Sequence, residues 1–468
     1  MNQFDPASKP SSPLAPIVVT SFVLGLMGYL MVSVAGESGP TAFLQFAAAL
    51  ATLVYLLTFI NIRLGLGILI LCIGLSPEVE VAGLSNLRFE DFLVPALLAA
   101  WLLRNLRSHE EFAPSPIKAS MLLYVGVMVL SAMAGAAGGT VKPTITLLIV
   151  GKNLVYFLIF YIFLNNIRTY AEFKAFVIFA LLVSFAGAIT SLGTSRLVPE
   201  TQTGRVQGPL GETANIFGGY LIMHIAILLS LFFHLPGMRG RVASLVGAGV
   251  LFYTLMFTYS RTSYVALLVS IATFAILKQR RLIVAFLILI VTFPLLAPES
   301  VLYRFVTILS IFSGPGPESW QARVISWEEN MDRIFSHPLL GGGPGSIPFG
   351  DVDNEYVRVA IDMGIPALAI LVWMLLVLLV TGFRLYDRIA APGFLKGFAG
   401  GYFMLLIAIL VHAGGATSFS TIRTMEAFMV ITALMCVLHN RYDEWKDEEE
   451  RAVAMEAGSH ALAAVHKP

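Results

Sequence analysis

Long apolar runs are the feature of this sequence that most restricts its fold. Runs of roughly 17 to 25 residues recur along almost the whole chain, and each can cross a bilayer as a helix. In lipid, only helices and closed barrels satisfy their backbone hydrogen bonds, and these runs lack the polar–apolar alternation of barrel strands. The sequence therefore predicts an all-α, polytopic integral membrane protein with about 12–14 transmembrane helices.

One long polar segment, residues 298–357, interrupts the apolar runs. It contains one predicted amphipathic helix, in which Trp320, Val324, Trp327, Met331 and Phe335 recur at helical spacing. We expect a single membrane domain with an N-terminal helical block (1–297), this loop, C-terminal helices (358–440) and a tail (441–468). The predicted spans lie at about 17–35, 41–61, 64–75, 89–105, 118–137, 144–164, 172–192, 213–233, 241–258, 262–278, 281–297, 356–382, 394–413 and 421–440.

Composition excludes several classes of function. Only 13% of the 468 residues are charged and 57% are hydrophobic, whereas soluble proteins carry about 25% charge. The net charge is +1 and there is no basic tract, so we expect no nucleic-acid partner. Cys72 and Cys436 lie in apolar spans, which argues against a disulfide. The first residues are expected to be a polar tail rather than a cleavable signal.

Lysine and arginine alternate between predicted loops in the positive-inside pattern. With the N-terminus inside, both termini lie in the cytoplasm, and an acidic, partly disordered tail follows Trp445. The long polar segment then lies outside. The cations of the predicted inner loops are Arg63, Arg104, Arg107, Arg168, Lys174, Arg239, Arg241, Lys278, Arg280, Arg281, Arg384, Arg388 and Lys396.

Arginines on the predicted outer side oppose this bias and are candidates for function. Arg261 stands between two apolar arms, where it could bind two phosphate or carboxylate oxygens or could snorkel to anchor a helix end. Arg205 lies in a Gly/Pro-rich turn and could instead be a solvated loop charge. Arg323 and Arg423 are further candidates, and Lys152, about a turn inside a span, could pair with a lipid phosphate or reach the interface.

Four acidic residues gather at the end of the polar segment and just after it: Asp351, Asp353, Glu355 and Asp362. One carboxylate could act as a general base towards a sugar hydroxyl, the pair Asp351 and Asp353 could bind a divalent metal, or Asp353 or Asn354 could cap the next helix. Nucleotide-sugar donors, which such metals serve, are made in the cytoplasm, so we expect no metal or other cofactor. Asp362 is half a turn out of phase with Asp353 if both are helical, and it need not share its site.

Other polar residues have simpler explanations. His337 can interact with the helix dipole, and His412, near the outer end of a span, is expected to be buried and structural. The glycine run 341–345 lacks the lysine and hydroxyl residue of a P-loop, and turn geometry explains it.

Four motifs, in order, resemble those of the O-antigen polymerase/ligase superfamily of bacterial envelope proteins. GRVQGPLGETANIFGGYL resembles its Arg–Gly turn before Asn and an apolar helix, and TYSRTSYVALLVSIATF resembles its Ser-Arg-(Gly/Thr) motif. ARVISWEENMDRIFSHPLLGGGPGSI resembles its Arg…Trp…Pro-Leu-(Leu/Ile)-Gly-x-Gly segment. DNEYVRVAIDMGIPAL resembles its His/Asp-Asn-x-Tyr helix start. The motifs cover about 204–380, and the N-terminal half is similar only in being apolar.

The resemblance implies metal-independent glycosyl transfer in a C-type fold, on the periplasmic face of the bacterial inner membrane. The donor would be an undecaprenyl-diphosphate-linked glycan, attacked with inversion by the hydroxyl of a glycan or lipid-linked acceptor. Arg205 and Arg261 match the family's diphosphate-binding arginines, and Asp353 matches its base. We expect membrane lipids and a chain-length regulator as further partners. Further substrate contacts are expected from Arg323, Asn354, Tyr356, Arg423, Asn215, Lys152 and Asp362.

The sequence leaves three functions open, besides that of a non-catalytic membrane scaffold. The superfamily's ligases carry His-Asn where this chain has Asp353-Asn354, which favours a polymerase of exopolysaccharide or O-antigen repeat units. A ligase that transfers the glycan to lipid A core or another acceptor is the alternative. A transporter or flippase of lipid-linked sugars, from another class, would use charges near the bilayer midplane, whereas most charges here lie at one face.

Overall fold

The computed structural model describes residues 53–75, 79–81, 84–108, 111–194, 205–209, 212–280, 282–284, 298–314, 316–348 and 350–465. These residues are helical apart from turns and one antiparallel hairpin, β1 (Val79–Val81) and β2 (Leu84–Leu87), and this confirms the predicted all-α membrane fold. Residues 53–60 are helical as well. The helices that follow are α1 (Ile62–Leu75), α2 (Phe89–Ser108), α3 (Lys118–Gly138), α4 (Pro143–Asn166), α5 (Tyr170–Thr194), α6 (Ala214–His234), α7 (Met238–Phe257), α8 (Arg261–Leu277), α9 (Glu299–Ser313), α10 (Glu318–Ser336), α11 (Glu355–Arg388), α12 (Phe394–Ala413) and α13 (Ile422–Val465).

The length and composition of the helices make the protein a multi-pass membrane protein. Among the described residues, 8 helices are long and apolar enough to cross a bilayer, namely α3 to α7 and α11 to α13. Helices α1 and α8 are apolar but shorter, with 14 and 17 residues. The predicted spans 17–35, most of 41–61 and most of 281–297 lie outside the described residues. The total of about 12–14 spans therefore stays a prediction.

Helices α6 and α12 form the centre of the bundle. Small residues let their backbones approach closely, as in other membrane helix pairs. A Cβ atom built at Gly401 of α12 would lie 2.5 Å from the Cα of Ile227 in α6. A Cβ at Gly397 would lie 3.2 Å from the Cα of Leu231. Larger residues at these glycines would separate the two central helices.

Helix α11 is broken where the sequence predicts one continuous span. Gly364 has φ 83° and ψ 173°, and Pro366 follows it inside the helix. The segment 338–345 packs into this break, where Ile365 N donates to Pro338 O at 2.9 Å and Gly342 N donates to Ile361 O at 2.9 Å. A Cβ at Gly341 would lie 2.4 Å from Ile361 O. The glycine run thus provides close backbone packing as well as the predicted turn.

The polar segment contains two helices where one was predicted. Helix α10 agrees with the predicted amphipathic helix and ends before His337. Trp327 and Ile334 pack against residues 347–361, whereas Met331 and Phe335 are 39% and 69% exposed. The predicted stripe was therefore partly wrong, because the packed face of α10 is rotated towards Ile334. Helix α9 was not predicted.

The expected disordered tail was also wrong for the described residues. Helix α13 continues to Val465, well beyond the predicted span. Trp445 is buried, with its ring centroid 5.3 Å from that of Phe173. The buried carboxylate of Glu449 accepts a hydrogen bond of 2.7 Å from Leu395 N. Trp445 and Glu449 thus pack this part of the predicted tail on α5 and α12, which the local charge does not reveal.

Candidate active site

A cavity of about 420 Å³ lies at one end of the helix bundle. Its walls come from the first turns of α6, α8 and α13, the end of α12, the chain before α11, and α9 and α10. These helix ends belong to the outer side of the predicted topology. We call this space the arginine cavity, because four arginines line it: Arg205, Arg261, Arg304 and Arg323.

Half of the site residues that we predict from the sequence lie together in this cavity. Arg205, Arg261, Arg323, Asp353 and Asn215 line the arginine cavity. The other five predicted site residues do not line the arginine cavity and lie elsewhere in the fold. They are Lys152, Asn354, Tyr356, Asp362 and Arg423.

The turn between α7 and α8 positions the two arginines that match the family's motifs. Tyr259 has φ 51°, in the left-handed region that is costly for a non-glycine residue. Next to it, the Ser260 hydroxyl caps α8 by accepting from Ser263 N at 3.3 Å, which places Arg261 at the first helical position. The Nε of Arg205 donates to Thr258 O at 2.9 Å, so the turn fixes the backbone of Arg261 and the side chain of Arg205.

Helix α9 adds an arginine that the sequence interpretation missed. Arg261 Nε donates to Thr307 Oγ1 at 3.1 Å, and that hydroxyl donates to Arg304 O at 2.8 Å. These bonds hold α9 against the start of α8 and bring Arg304 into the cavity wall. Arg304 also lies on the predicted outer side of the membrane, so the criterion that selected Arg205 would have selected it too.

The cavity is electrostatically suited to an anionic group. The described residues of its lining contain four guanidinium groups and one carboxylate, a formal charge of +3. Burial lowers the pKa of Arg205, and the positive charges of Arg304 and Arg323 lower it further. An arginine still stays protonated at neutral pH. The first turns of three helices in the lining add the positive ends of their dipoles.

Asp353 is the one carboxylate among the described residues that line the cavity. Its Oδ2 lies 3.3 Å from Arg323 Nη2, and its side chain is 44% exposed. The next residue, Asn354, caps α11 by accepting from Tyr356 N at 3.0 Å and Val357 N at 3.2 Å. The capping role that the sequence left open thus belongs to Asn354, and the Asp353 side chain stays accessible from the cavity.

The other acidic residues of the predicted cluster have separate positions. Glu355 is buried and accepts hydrogen bonds from Phe419 N at 3.0 Å and from the Ser420 hydroxyl at 2.7 Å, which positions the cavity loop after α12. Asp362 lies in the break of α11 and accepts from the Ser346 hydroxyl at 2.8 Å. Tyr356, the residue after Glu355, does not line the cavity either, and its hydroxyl donates to Leu410 O at 2.8 Å.

A chain of hydrogen-bonded polar side chains forms another part of the wall. His412 Nε2 and Ser263 Oγ are 3.0 Å apart, Ser263 Oγ and Ser260 Oγ are 2.8 Å apart, and the Ser260 hydroxyl donates to Asn215 Oδ1 at 2.7 Å. A Cβ at Gly219 would lie 2.9 Å from the His412 ring. The adjacent glycines of the apolar run FGGYL allow this close approach.

A network of buried charged side chains lies next to the cavity wall and supports it. The Glu212 carboxylate pairs with Arg88 at 3.0 Å and with Arg423, which is only 1% exposed and also donates to Gly74 O at 2.7 Å. Lys152 pairs with Asp91 at the start of α2. Glu212 directly precedes the cavity residue Thr213. Arg423 and Lys152, nominated as substrate contacts, thus form ion pairs beside the cavity.

Breaking this network should destabilise the protein. We expect Arg423→Ala to lower the free energy of unfolding by about 3 kcal/mol, at the low end of the cost of breaking a buried ion pair, because it leaves the buried Glu212 carboxylate with Arg88 as its one described partner. Thermal unfolding in detergent measures the change, with the exposed Arg384→Ala as a control. An unfolding midpoint equal to that of the control would contradict the supporting role.

The described residues show no metal centre. Among the residues that the structure describes, no group of three His, Cys, Asp or Glu side chains is arranged to hold a metal ion. Asp351 is exposed and does not line the arginine cavity, so the pair Asp351 and Asp353 does not face it together.

The fold and the cavity define a multi-pass helical membrane protein with a cation-rich site at one end of its bundle. Residues 245–372 match the family described as O-antigen ligase, from α7 into α11. This match confirms the resemblance to the O-antigen polymerase/ligase superfamily and supports an enzyme that transfers glycans in O-antigen pathways. No curated protein shows a significant match to the chain.

The matched segment contains three of the four cavity arginines, Arg261, Arg304 and Arg323, together with Asp353. Arg205 and Asn215 precede it and reach the cavity through the fold.

Proposed function

We propose that the protein is a glycosyltransferase on the periplasmic face of the bacterial inner membrane, with its termini in the cytoplasm. It polymerises undecaprenyl-diphosphate-linked oligosaccharide repeat units into exopolysaccharide or O-antigen. The observation that carries this proposal is the convergence of Arg205, Arg261, Arg304 and Arg323 around Asp353 in one cavity at the end of a membrane bundle.

The charge of the cavity supports a diphosphate leaving group. A diphosphate esterified at both ends carries two negative charges, and a third develops on the oxygen that leaves the sugar. The four guanidinium groups therefore offset the charge of the bound donor and the further charge that develops on the departing lipid diphosphate. Preorganised cations that stabilise charge developing in the transition state accelerate the chemical step.

The carboxylate supports activation of the acceptor. In the proposed step, the acceptor hydroxyl oxygen bonds to the anomeric carbon and its proton passes to Asp353. The bond between that carbon and the diphosphate oxygen breaks, and inversion results. Arg323, 3.3 Å from Asp353, keeps the carboxylate within the cavity. Catalysis by a positioned base contributes about 10²–10⁴-fold.

A ligase is the second candidate, because the matched family is described as O-antigen ligase. In a ligase the same cavity would accept lipid A core or another acceptor. The two functions differ when purified protein is given lipid-linked repeat units alone and then with a separate acceptor. A ladder without the separate acceptor indicates a polymerase, and product only with it indicates a ligase. Movement of lipid-linked sugar without new glycosidic bonds would indicate a transporter.

The reaction should not require a divalent metal. In the proposed step, guanidinium groups fulfil the charge-neutralising role that Mg²⁺ or Mn²⁺ has in other transferases. We expect EDTA to leave the rate of chain growth within about twofold of the untreated rate. Strong inhibition that added Mg²⁺ or Mn²⁺ reverses would contradict this expectation.

A further inference from the structure

His412 lies at the end of α12, in the wall of the arginine cavity. Its side chain is fully buried, yet both of its ring nitrogens face hydroxyl groups. Nε2 lies 3.0 Å from Ser263 Oγ in α8, and Nδ1 lies 2.8 Å from Ser418 Oγ after α12. The proposed glycosyl-transfer step uses none of these three side chains.

The Asn215 amide fixes the direction of the hydrogen bonds that lead to His412. Its Nδ2 donates to Gly415 O at 3.4 Å, and a backbone carbonyl can only accept, so the other end of the amide is its oxygen. The oxygen Oδ1 therefore accepts from the Ser260 hydroxyl at 2.7 Å. That bond uses the single hydrogen of the Ser260 hydroxyl.

Each hydroxyl of the chain has one hydrogen, so the other directions follow from this end. Because Ser260 donates to Asn215, the 2.8 Å contact between the two serine hydroxyls is one in which Ser263 donates to Ser260. The Ser263 hydroxyl then has no hydrogen left for the ring. At the 3.0 Å contact, His412 Nε2 therefore carries the hydrogen and donates to Ser263 Oγ.

The charge of the cavity selects the neutral form of this ring. An imidazolium would also donate from Nε2, but it would add a buried positive charge to a lining that already contains four guanidinium groups. The neutral ring with its hydrogen on Nε2 leaves Nδ1 as an acceptor for the Ser418 hydroxyl. The two nitrogens of His412 thus have fixed, opposite roles.

The chain of hydrogen bonds ends on an amide nitrogen in the cavity wall. Asn215 Nδ2 has two hydrogens, and its bond to Gly415 O uses one of them. Within the part of the chain that the structure describes, this nitrogen donates to no other acceptor. Asn215 lines the arginine cavity, so its second hydrogen is available to an oxygen atom of a bound substrate.

We infer that His412, as the neutral imidazole protonated at Nε2, is a positioning residue for Asn215. Through the two serines it holds the amide in the orientation that donates to an oxygen of the lipid-linked donor. Both the diphosphate and the glycan of the donor offer such oxygens. The identity of the ligand rests on the proposed function, whereas the tautomer rests on the hydrogen bonds and the charge of the cavity.

Nitrogen NMR of the full chain in detergent, with isotope-labelled histidine, tests the tautomer without any substrate. The chain has 8 histidines, and the signals of His412 are those that disappear in His412→Gln. We expect a neutral ring with its hydrogen on Nε2 at neutral pH. A hydrogen on Nδ1 alone, or on both nitrogens, would overturn the inference whether or not the protein polymerises glycans.

The affinity for the lipid-linked donor tests the positioning role. The amide nitrogen of a glutamine side chain reaches the position of Nε2, whereas that of an asparagine side chain lies near Nδ1. We therefore expect His412→Asn to bind the donor about tenfold more weakly than His412→Gln, the effect of one misplaced hydrogen bond. Equal affinities of these two variants would overturn the positioning role.

Ser263→Ala removes a single oxygen atom and guards against misfolding. It interrupts the chain and should weaken donor binding about tenfold. Ser270→Ala is the matched control, because Ser270 is also buried in α8 and donates to Met404 O of α12 at 2.6 Å, outside the cavity lining. A loss of affinity in Ser270→Ala as large as that in Ser263→Ala would assign the chain to helix packing and overturn the inference.

Binding of a polyprenyl diphosphate without its glycan identifies the oxygen that Asn215 meets. If Ser263→Ala weakens this binding as well, the amide donates to the diphosphate; if it weakens only binding of the complete donor, the amide donates to the glycan. None of these measurements needs turnover. A protein that shows them but forms no glycan chain would contradict the proposed function and leave the positioning role intact.

Discussion

Replacing Arg261 by alanine should abolish glycan product while leaving the protein folded in the membrane. The variant removes a guanidinium group at the start of α8 that stabilises charge on the departing diphosphate in the proposed step. Loss of one such preorganised donor costs about 10²–10³-fold in turnover. Arg205→Ala should have an effect of the same size, because both guanidinium groups line the same cavity beside the turn between α7 and α8.

Product ladders from reconstituted vesicles supply the measurement. Arg384→Ala is the matched control, since it removes an exposed arginine that does not line the arginine cavity. Arg261→Lys should recover only part of the activity, because an ammonium group cannot form the paired hydrogen bonds of a guanidinium group. Near-normal chain growth by both alanine variants would eliminate the proposed mechanism.

Asp353→Asn should reduce turnover by about 10²–10⁴-fold and change donor binding little. Asparagine has nearly the same shape and can still accept a hydrogen bond from Arg323, but it cannot take the acceptor's proton. Single-turnover kinetics and binding of the lipid-linked donor, measured separately, distinguish the two effects.

Asp351→Asn is the control for the second prediction. It removes an exposed carboxylate two residues away, outside the cavity lining, and should leave turnover unchanged. Equal losses of turnover and donor binding in Asp353→Asn would instead assign Asp353 to substrate binding.

Much of the fold could be predicted because the length and continuity of an apolar run determine whether it can span lipid. Helices α3 to α8 and α12 coincide with predicted spans to within a few residues. The break at Gly364 could not be recognised in the same way. It depends on the segment 338–345 packing against α11, a contact between parts of the chain that the apolar pattern does not relate.

The site residues could be predicted mainly from the uneven distribution of arginine and lysine between the two sides of the predicted membrane. It placed Arg205, Arg261, Arg323 and Asp353 on one side, and the structure brings them into one cavity. The same signal nominated Arg423, whose side chain instead pairs with Glu212. The direction of a side chain depends on the rotation of its helix and on neighbours distant in sequence.

The sequence by itself determined that this chain is a multi-pass helical membrane protein, because backbone groups in lipid must bond within their own helix. It also predicted that several arginines would lie on the same side of the membrane. Only the tertiary structure decided which of those charges share a cavity and which neutralise one another. The packing of α9 on α8 brings Arg304 into the cavity wall. Arg88, Glu212 and Arg423 lie together because a buried charge is stable only beside a partner.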